Sequence, residues 1–200
     1  GETVRTIVLP ESVNPKGTAT WTYVGVYGDY LLAGVDFANA DDASVLLKLF
    51  EKLAKRGTAW SPKWFASRRL AVLNAKSGEL LWHTDARNSF LHNGIIAGDD
   101  KVYLLDKLPL SIEQQQSRRG KTKPTDYRIA AFDVKTGEPI WQRTEDVFGT
   151  WLGFSEEHGL LVHAGAAAPD RSMDEVNAGI VAMRAGSGEM VWKNLGLEYS

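Results

Sequence analysis

The chain has 200 residues, and its 44% content of hydrophobic residues is typical of a folded domain rather than a disordered segment. Its 23 basic and 25 acidic residues leave a formal net charge of −2, which excludes a global attraction to nucleic acid or acidic lipid. The absence of cysteine excludes disulfides and thiolate metal sites, and no apolar run reaches the roughly 18 residues of a membrane helix.

The first 19 residues precede the regular part of the sequence, and they begin with a strand-like alternation. We expect them to be a tail or the end of a preceding structural unit. A hairpin is predicted next, because two apolar segments between Tyr23 and Val35 flank the turn residues Gly28 and Asp29. Similar hairpins are predicted for Asn93 to Leu105 and for Trp151 to Gly165.

One pattern occurs three times, each time after one of these hairpins. Its copies are LAVLNAKSGELLW at 70–82, IAAFDVKTGEPIW at 129–141 and IVAMRAGSGEMVW at 180–192. In each copy a Gly follows Ser or Thr and precedes the final Trp by four residues. Apolar alternation before a Gly turn predicts a second hairpin, so each unit contains four antiparallel strands, here named A to D.

Four-stranded sheets that recur at this spacing are typical of a β-propeller. We therefore predict an all-β fold, a propeller segment of about three four-stranded antiparallel blades with a helical insertion. The predicted parts are a tail at 1–19, blades at 20–82, 91–141 and 150–192, insertions at 38–67, 107–127 and 166–178, and a link at 193–200.

All three insertions fall between strands B and C. Strand polarity places them on one edge of the propeller, together with the links from strand D to the next strand A near 83–92 and 142–150. We call this edge the insertion rim. Loops on a rigid scaffold are where binding usually occurs.

The insertions differ in composition. The first contains DDASVLLKLFEKLAKR, whose apolar stripe predicts a helix that packs over the insertion rim or, alternatively, docks a partner. The second is polar and locally basic, which favours a solvated loop over an anion site. The third is acidic but lacks the spacing of a calcium loop.

The second copy of the pattern, with Ala131, Asp133, Thr136, Gly137 and Trp141, resembles the tryptophan-docking motif of PQQ-like repeats. Such repeats build the propellers of quinoprotein alcohol dehydrogenases and of non-catalytic relatives in the bacterial envelope. The other copies depart from the motif at Val72, Asn74, Ser77, Arg184 and Ser187. The resemblance and the bulk of the indole predict that these residues join neighbouring blades: Gly78, Trp82, Ala131, Asp133, Thr136, Gly137, Trp141, Gly188 and Trp192.

Propellers of the family that this motif resembles typically have seven or eight blades, and three blades cannot close a ring. We therefore expect the chain to be a segment of a longer protein, with other blades of the same chain as its neighbours.

Candidate binding residues lie where the innermost strands begin on the insertion rim. They are Trp21, His92, Asn93, Thr150 and Trp151. The same positions are also suited to hydrogen bonding at strand ends. The four His have no metal-ligand spacing, and the sequence has no nucleophile elbow or phosphate loop. No catalytic or metal residue is therefore predicted.

The sequence favours a non-catalytic scaffold that binds a protein or small molecule, located in the periplasm or cell envelope, with no cofactor and no nucleic-acid partner. The alternative is the structural part of a PQQ-dependent quinoprotein dehydrogenase, and only this alternative implies PQQ with calcium. A third hypothesis is a sugar or peptide site formed by Trp60, Trp64 and Trp151.

Overall fold

A computed structural model describes residues 5–14, 16–38, 66–122, 124–165 and 178–198. The predicted all-β fold is confirmed, since antiparallel strands dominate the described chain. The strands are β1 (Trp21–Tyr27), β2 (Tyr30–Phe37), β3 (Ala66–Asn74), β4 (Leu80–Gly98), β5 (Lys101–Asp106), β6 (Arg128–Asp133), β7 (Pro139–Arg143), β8 (Trp151–Ser155), β9 (Leu160–Ala164), β10 (Ala178–Arg184) and β11 (Met190–Glu198). One helix, α1 (Leu110–Arg118), interrupts them in the described part.

The strands form two sheets. One has seven strands in the order β1 to β7, and the other has four in the order β11-β10-β9-β8. The larger sheet joins two four-stranded units because β4 serves both. Its first part pairs with β3, where Trp82 faces Val72, and its last part pairs with β5, where Ala97 faces Val102.

This continuity corrects the link expected at 83–92, which lies inside β4 rather than in a loop. The physical reason is the buried carboxylate of Asp106. It accepts the backbone N–H groups of Arg87, Asn88 and Ser89 at 2.9–3.1 Å, which satisfies the extended chain where ladder pairing shifts register. The second link, by contrast, leaves β7 at Arg143 and reaches β8 at Trp151 outside any strand.

The Gly turn between strands C and D is built by the residue four positions before Gly. In β6 the Asp133 carboxylate accepts the backbone N–H groups of Lys135 and Thr136 at 2.9 and 2.8 Å and the Thr136 hydroxyl at 3.0 Å. The Thr136 backbone and hydroxyl hydrogen bonds hold the pKa of Asp133 below its usual value. Gly137 then adopts a φ of +76°, where a residue with Cβ is strained.

The core lies between the units and on the outer face of the first unit. Leu70, Val72 and Leu104 pack between the first two units. Tyr103, Ile129, Leu161 and Val181 pack between the second and third. Each four-stranded unit thus buries its apolar side chains against a neighbouring unit, as the predicted blade packing requires.

The N-terminal segment covers the remaining face of the first unit. Leu9 and Val13 are buried there against Ala33 and Leu73. Residues 5–14 form no strand, so the strand-like alternation at the start of the chain is not realised in its described part. The segment is held by burial of Leu9 and Val13 rather than by a ladder.

The second insertion differs from the solvated loop that its composition predicts. The prediction is wrong for its first half, which contains α1. The helix begins after Pro109, which has no backbone N–H to leave unsatisfied. Ile112 on its inner side is buried with Leu108 and Tyr127.

The predicted helix of the first insertion and the Trp60 and Trp64 side chains lie outside the described residues. No described helix has the length and hydrophobicity required to cross a membrane.

Candidate functional site

Two of the three repeated Trp side chains dock on the Gly turn of the following unit. The Trp82 indole N–H donates to the carbonyl of Val134 at 2.8 Å, and that of Trp141 donates to the carbonyl of Ala185 at 2.9 Å. Both acceptors lie three residues before the turn Gly. A Cβ built on Gly137 would come within 2.5 Å of the Trp82 ring, so the absence of a side chain makes the contact possible.

We expect Gly137→Ala to lower the free energy of unfolding by about 2–5 kcal/mol, because a strained φ and a clash with the Trp82 ring act together. Gly28→Ala is the matched control, since Gly28 has a φ of +55° and a Cβ added there would meet nothing within 4 Å. That variant should lose only the conformational part, about 1–2 kcal/mol. Urea unfolding followed by circular dichroism measures both, and equal losses would contradict the docking geometry.

The third repeated Trp is placed differently. Trp192 lies on β11 with 46% of its surface exposed, whereas Trp82 is 8% exposed. Among the described residues its indole N–H has no hydrogen-bond partner. The predicted joining role of Trp192 therefore stays a prediction.

At the insertion rim of the first unit, a buried hydroxyl connects two neighbouring side chains. Ser67 Oγ lies 2.7 Å from Thr22 Oγ1 and 3.0 Å from His92 Nε2. Gly34 makes room for this pair, because a Cβ there would collide with both hydroxyl groups. Burial lowers the pKa of His92 to about 4, so its imidazole is neutral at pH 7. The arrangement ties β1, β3 and β4 together.

A second polar group of the insertion rim is Asp106, which is fully buried at the end of β5. Besides three backbone N–H groups of β4, its carboxylate accepts a hydrogen bond from Arg128 Nε at 3.1 Å. Four donors therefore surround one carboxylate. This is the dense pairing that a buried charge requires.

A third polar group is His163, which is fully buried on β9. Its Nε2 accepts the backbone N–H groups of Phe148 and Gly149 at 3.1 and 3.0 Å, and its Nδ1 lies 3.2 Å from the carbonyl of Trp151. These contacts assign a neutral ring with the proton on Nδ1. Burial lowers the pKa of His163 to about 4, in agreement with this tautomer.

The same device occurs in all three units. A side chain on strand B, at or near its end, accepts backbone N–H groups from the segment that enters strand A. In the first unit Asp36 accepts the N–H of Thr20 at 3.0 Å. We call Asp36, Asp106 and His163 the entry clamps. They fix the start of each innermost strand and thereby the positions of the candidate binding residues.

The structure places the five candidate residues in different surroundings. Trp21 is half-buried against the core that Leu9 and Val13 cover. His92 is half-buried beside Ser67, and Asn93 next to it is exposed. Thr150 is buried, and its N–H donates to the carbonyl of Ala164 at 3.0 Å.

Trp151 is 38% exposed, and its ring lies over Gly153. The described contacts connect His92 with Thr22 through Ser67, and Trp151 with His163. They do not join the five candidates into one pocket, and the binding role of each stays a prediction.

Sequence reasoning missed Ser67, Asp106 and His163 as organisers of the insertion rim. For Asp106 a signal existed, since Asp36 and Asp106 each follow an apolar segment directly, in AGVD and LLD. A carboxylate at the end of a buried strand needs donors, and the nearest are the N–H groups of the entering chain. Ser67 and His163 carry no comparable signal.

The metal and cofactor alternatives can be compared with the described side chains. Within the described ranges no three His, Cys, Asp or Glu side chains converge on a point that could hold a metal ion.

Four-stranded antiparallel units joined by indole-on-glycine contacts define a β-propeller built from PQQ-like repeats. The chain belongs to the family described as "Outer membrane protein assembly factor BamB", whose model matches residues 57–195. No curated protein is significantly similar to the chain.

Solved structures show the same fold at low sequence identity. A quinohemoprotein alcohol dehydrogenase, ADHIIG from Pseudomonas putida HK5, matches with a TM-score of 0.51 and 17% identity over 88% of this chain and 26% of its own. The Cps50 (Swd1) β-propeller domain from Myceliophteria thermophila matches with a TM-score of 0.51 and 12% identity over 100% of this chain and 49% of its own.

BamB from Moraxella catarrhalis has a TM-score of 0.47 and 15% identity, over 86% of this chain and 35% of its own. The chain thus spans less than half the length of each of these three proteins.

Proposed function

We propose that the chain is part of a non-catalytic propeller that binds a partner protein through the insertion rim. The observation that carries this proposal is how the polar groups of the insertion rim are used. Ser67, Asp106 and His163 are fully buried, and each one holds backbone or a neighbouring side chain. Side chains committed in this way support a surface and are poorly placed to turn over a substrate.

The side chains that the described part of the insertion rim exposes to solvent are suited to protein recognition. Trp151 is 38% exposed on a strand that His163 holds in place, and Asn93 is exposed on β4. A rigid, partly exposed indole and an adaptable amide favour protein recognition, because such side chains bind at low cost in conformational entropy.

The family description supports the same choice. A family described as an assembly factor of the outer membrane favours protein partners over a diffusing substrate. On this proposal the chain works in the periplasm, with further blades of the same protein beside it. Of the third hypothesis, a sugar or peptide site formed by Trp60, Trp64 and Trp151, only Trp151 lies among the described residues.

Photo-crosslinking in cells tests the proposal. A photoreactive amino acid at Asn93 or Trp151 is expected to give discrete adducts with one envelope protein. The matched control is Glu157, which is exposed in the turn between β8 and β9 on the opposite edge. Adducts of equal yield from all three positions, or from Glu157 alone, would contradict binding through the insertion rim.

A second measurement decides for or against the dehydrogenase alternative. The purified protein is incubated with PQQ and calcium, and the reduction of an artificial electron acceptor by alcohols is followed. We expect no reduction above a protein-free control. Quinone-dependent turnover would overturn the non-catalytic assignment, whatever the crosslinking shows.

A further inference from the structure

The three entry clamps differ in chemistry although they do the same work. Asp36 and Asp106 are carboxylates, which accept backbone N–H groups while ionised. His163 accepts two N–H groups through one ring nitrogen, and it can do so only while that nitrogen carries no proton. The third clamp therefore has an acceptor that a proton removes.

We propose that His163 is the positioning residue of the Thr150–Trp151 corner and that protonation of its Nε2 releases this corner from the sheet. The corner is the described segment from Phe148 to Trp151. It is bound to His163 by three contacts that involve Phe148, Gly149 and the Trp151 carbonyl. A proton on Nε2 makes this nitrogen a donor that faces the two N–H donors of Phe148 and Gly149, so the segment must move away.

The direction of the pH dependence follows from the pKa. Burial lowers the pKa of His163 from 6.5 to about 4 when the corner is closed. An opened corner exposes the imidazole, whose pKa then rises towards 6.5. The clamp is therefore fully effective above pH 6.5, and its stabilisation is lost progressively as the pH falls from 6.5 towards 4.

The charged groups around His163 act in the same direction or lie apart from it. Lys107, from the end of β5, lowers the pKa further by its positive charge and is ion-paired with Glu113 at 3.1 Å. The flanking strands β8 and β10 contribute one charged side chain, Arg184, at the far end of β10.

The entering loop carries Glu145 and Asp146, which are paired with Arg143, and Asp146 is also paired with Lys193. Because these carboxylates are already ion-paired, they do not act as counter-ions to a protonated His163. The functional consequence, a binding surface that loosens in acid, rests on the proposed function.

Amide hydrogen exchange measured by NMR reports on the hydrogen bonds to His163 and requires no ligand. The protection factors of the Phe148 and Gly149 amides are expected to fall about tenfold per pH unit between pH 6.5 and 4.5. The control is the Gly78 amide, which donates to the Asn74 carbonyl in a turn without an ionisable partner. Its protection should change by less than about threefold over the same range.

A substitution separates the clamp from general acid sensitivity. His163→Gln keeps an oxygen that can accept the two N–H groups but cannot titrate, so the acid response of Phe148 and Gly149 should disappear. His158→Gln, in the exposed turn after β8, should leave the response unchanged.

The proposal is overturned if the wild-type protection at Phe148 and Gly149 persists to pH 4.5, or if it falls in step with that of Gly78. The wild-type titration decides this even where His163→Gln fails to fold. An intact exchange response together with failed crosslinking would remove the proposed function and leave the clamp standing.

Discussion

Replacing Trp82 with alanine is expected to lower the free energy of unfolding by about 3–5 kcal/mol, the range typical of a buried aromatic side chain. The indole is 8% exposed, stacks near Phe132 with ring centroids 6.0 Å apart, and covers Gly137. Its removal opens a cavity between the first two units and leaves the Val134 carbonyl without the N–H that it accepts at 2.8 Å.

Denaturant unfolding followed by circular dichroism measures the loss. Trp82→Phe keeps most of the ring contact but loses the N–H donor, so it should cost about 1–2 kcal/mol. Trp192→Ala is the matched control, because the Trp192 indole is 46% exposed. It should cost less than about 1 kcal/mol. A Trp82→Ala loss no larger than that of the control would show that the indole does not join the units.

The repeat could be predicted because its physics is local. In IAAFDVKTGEPIW the alternation, the Asp133 acceptor, the positive φ of Gly137 and the closing Trp141 all lie within one hairpin, so the sequence alone indicates the structure. Stacking of such hairpins into blades follows from the need to cover both faces of each sheet.

The continuity of β4 could not be predicted in the same way. Residues 83–92 have the polar character of a link. Both ends of this stretch pair with β3, and where the pairing shifts register Asp106, about twenty residues later, accepts three N–H groups. The helix α1 was missed for a related reason. Its sequence is polar, and its inner side is defined by Leu108 and Tyr127, which lie outside the helix.

For the candidate residues, the sequence predicts the place on the strands but not the contacts. Strand polarity was enough to place His92 and Trp151 on the insertion rim. The partner of His92 is Ser67, 25 residues earlier, and nothing in the sequence around either residue connects the two. His163 shows the same limit, because its role depends on backbone N–H groups that every residue except proline possesses.

Replacing Asp106 with alanine is the second substitution for which we expect a large effect, a loss of about 3–5 kcal/mol in the free energy of unfolding. The carboxylate is fully buried and accepts hydrogen bonds from Arg87, Asn88 and Ser89 backbone and from Arg128. Without it, three N–H groups lose their partner. Arg128, whose side chain is 11% exposed, becomes a buried and uncompensated charge.

Two further variants test this assignment. One removes the charge of Asp106 but keeps its shape, and the other removes an exposed carboxylate as a control. Asp106→Asn keeps one acceptor oxygen but turns the other into a donor that faces Arg128, so we expect an intermediate loss of about 1–3 kcal/mol. Asp85→Ala, on the same strand as the clamped segment, removes a carboxylate whose side chain is 62% exposed and paired with Arg69. It should cost less than about 1 kcal/mol.

The part of the chain that loses stability in Asp106→Ala is as informative as the size of the loss. Because the clamp joins the first two units through β4, the protection of the Asn88 and Ser89 amides against hydrogen exchange should fall most in Asp106→Ala. Phe148 and Gly149, which His163 holds, should keep theirs relative to global unfolding. A loss of protection that is uniform along the chain would show that Asp106 contributes to stability without fixing the entry to the second unit.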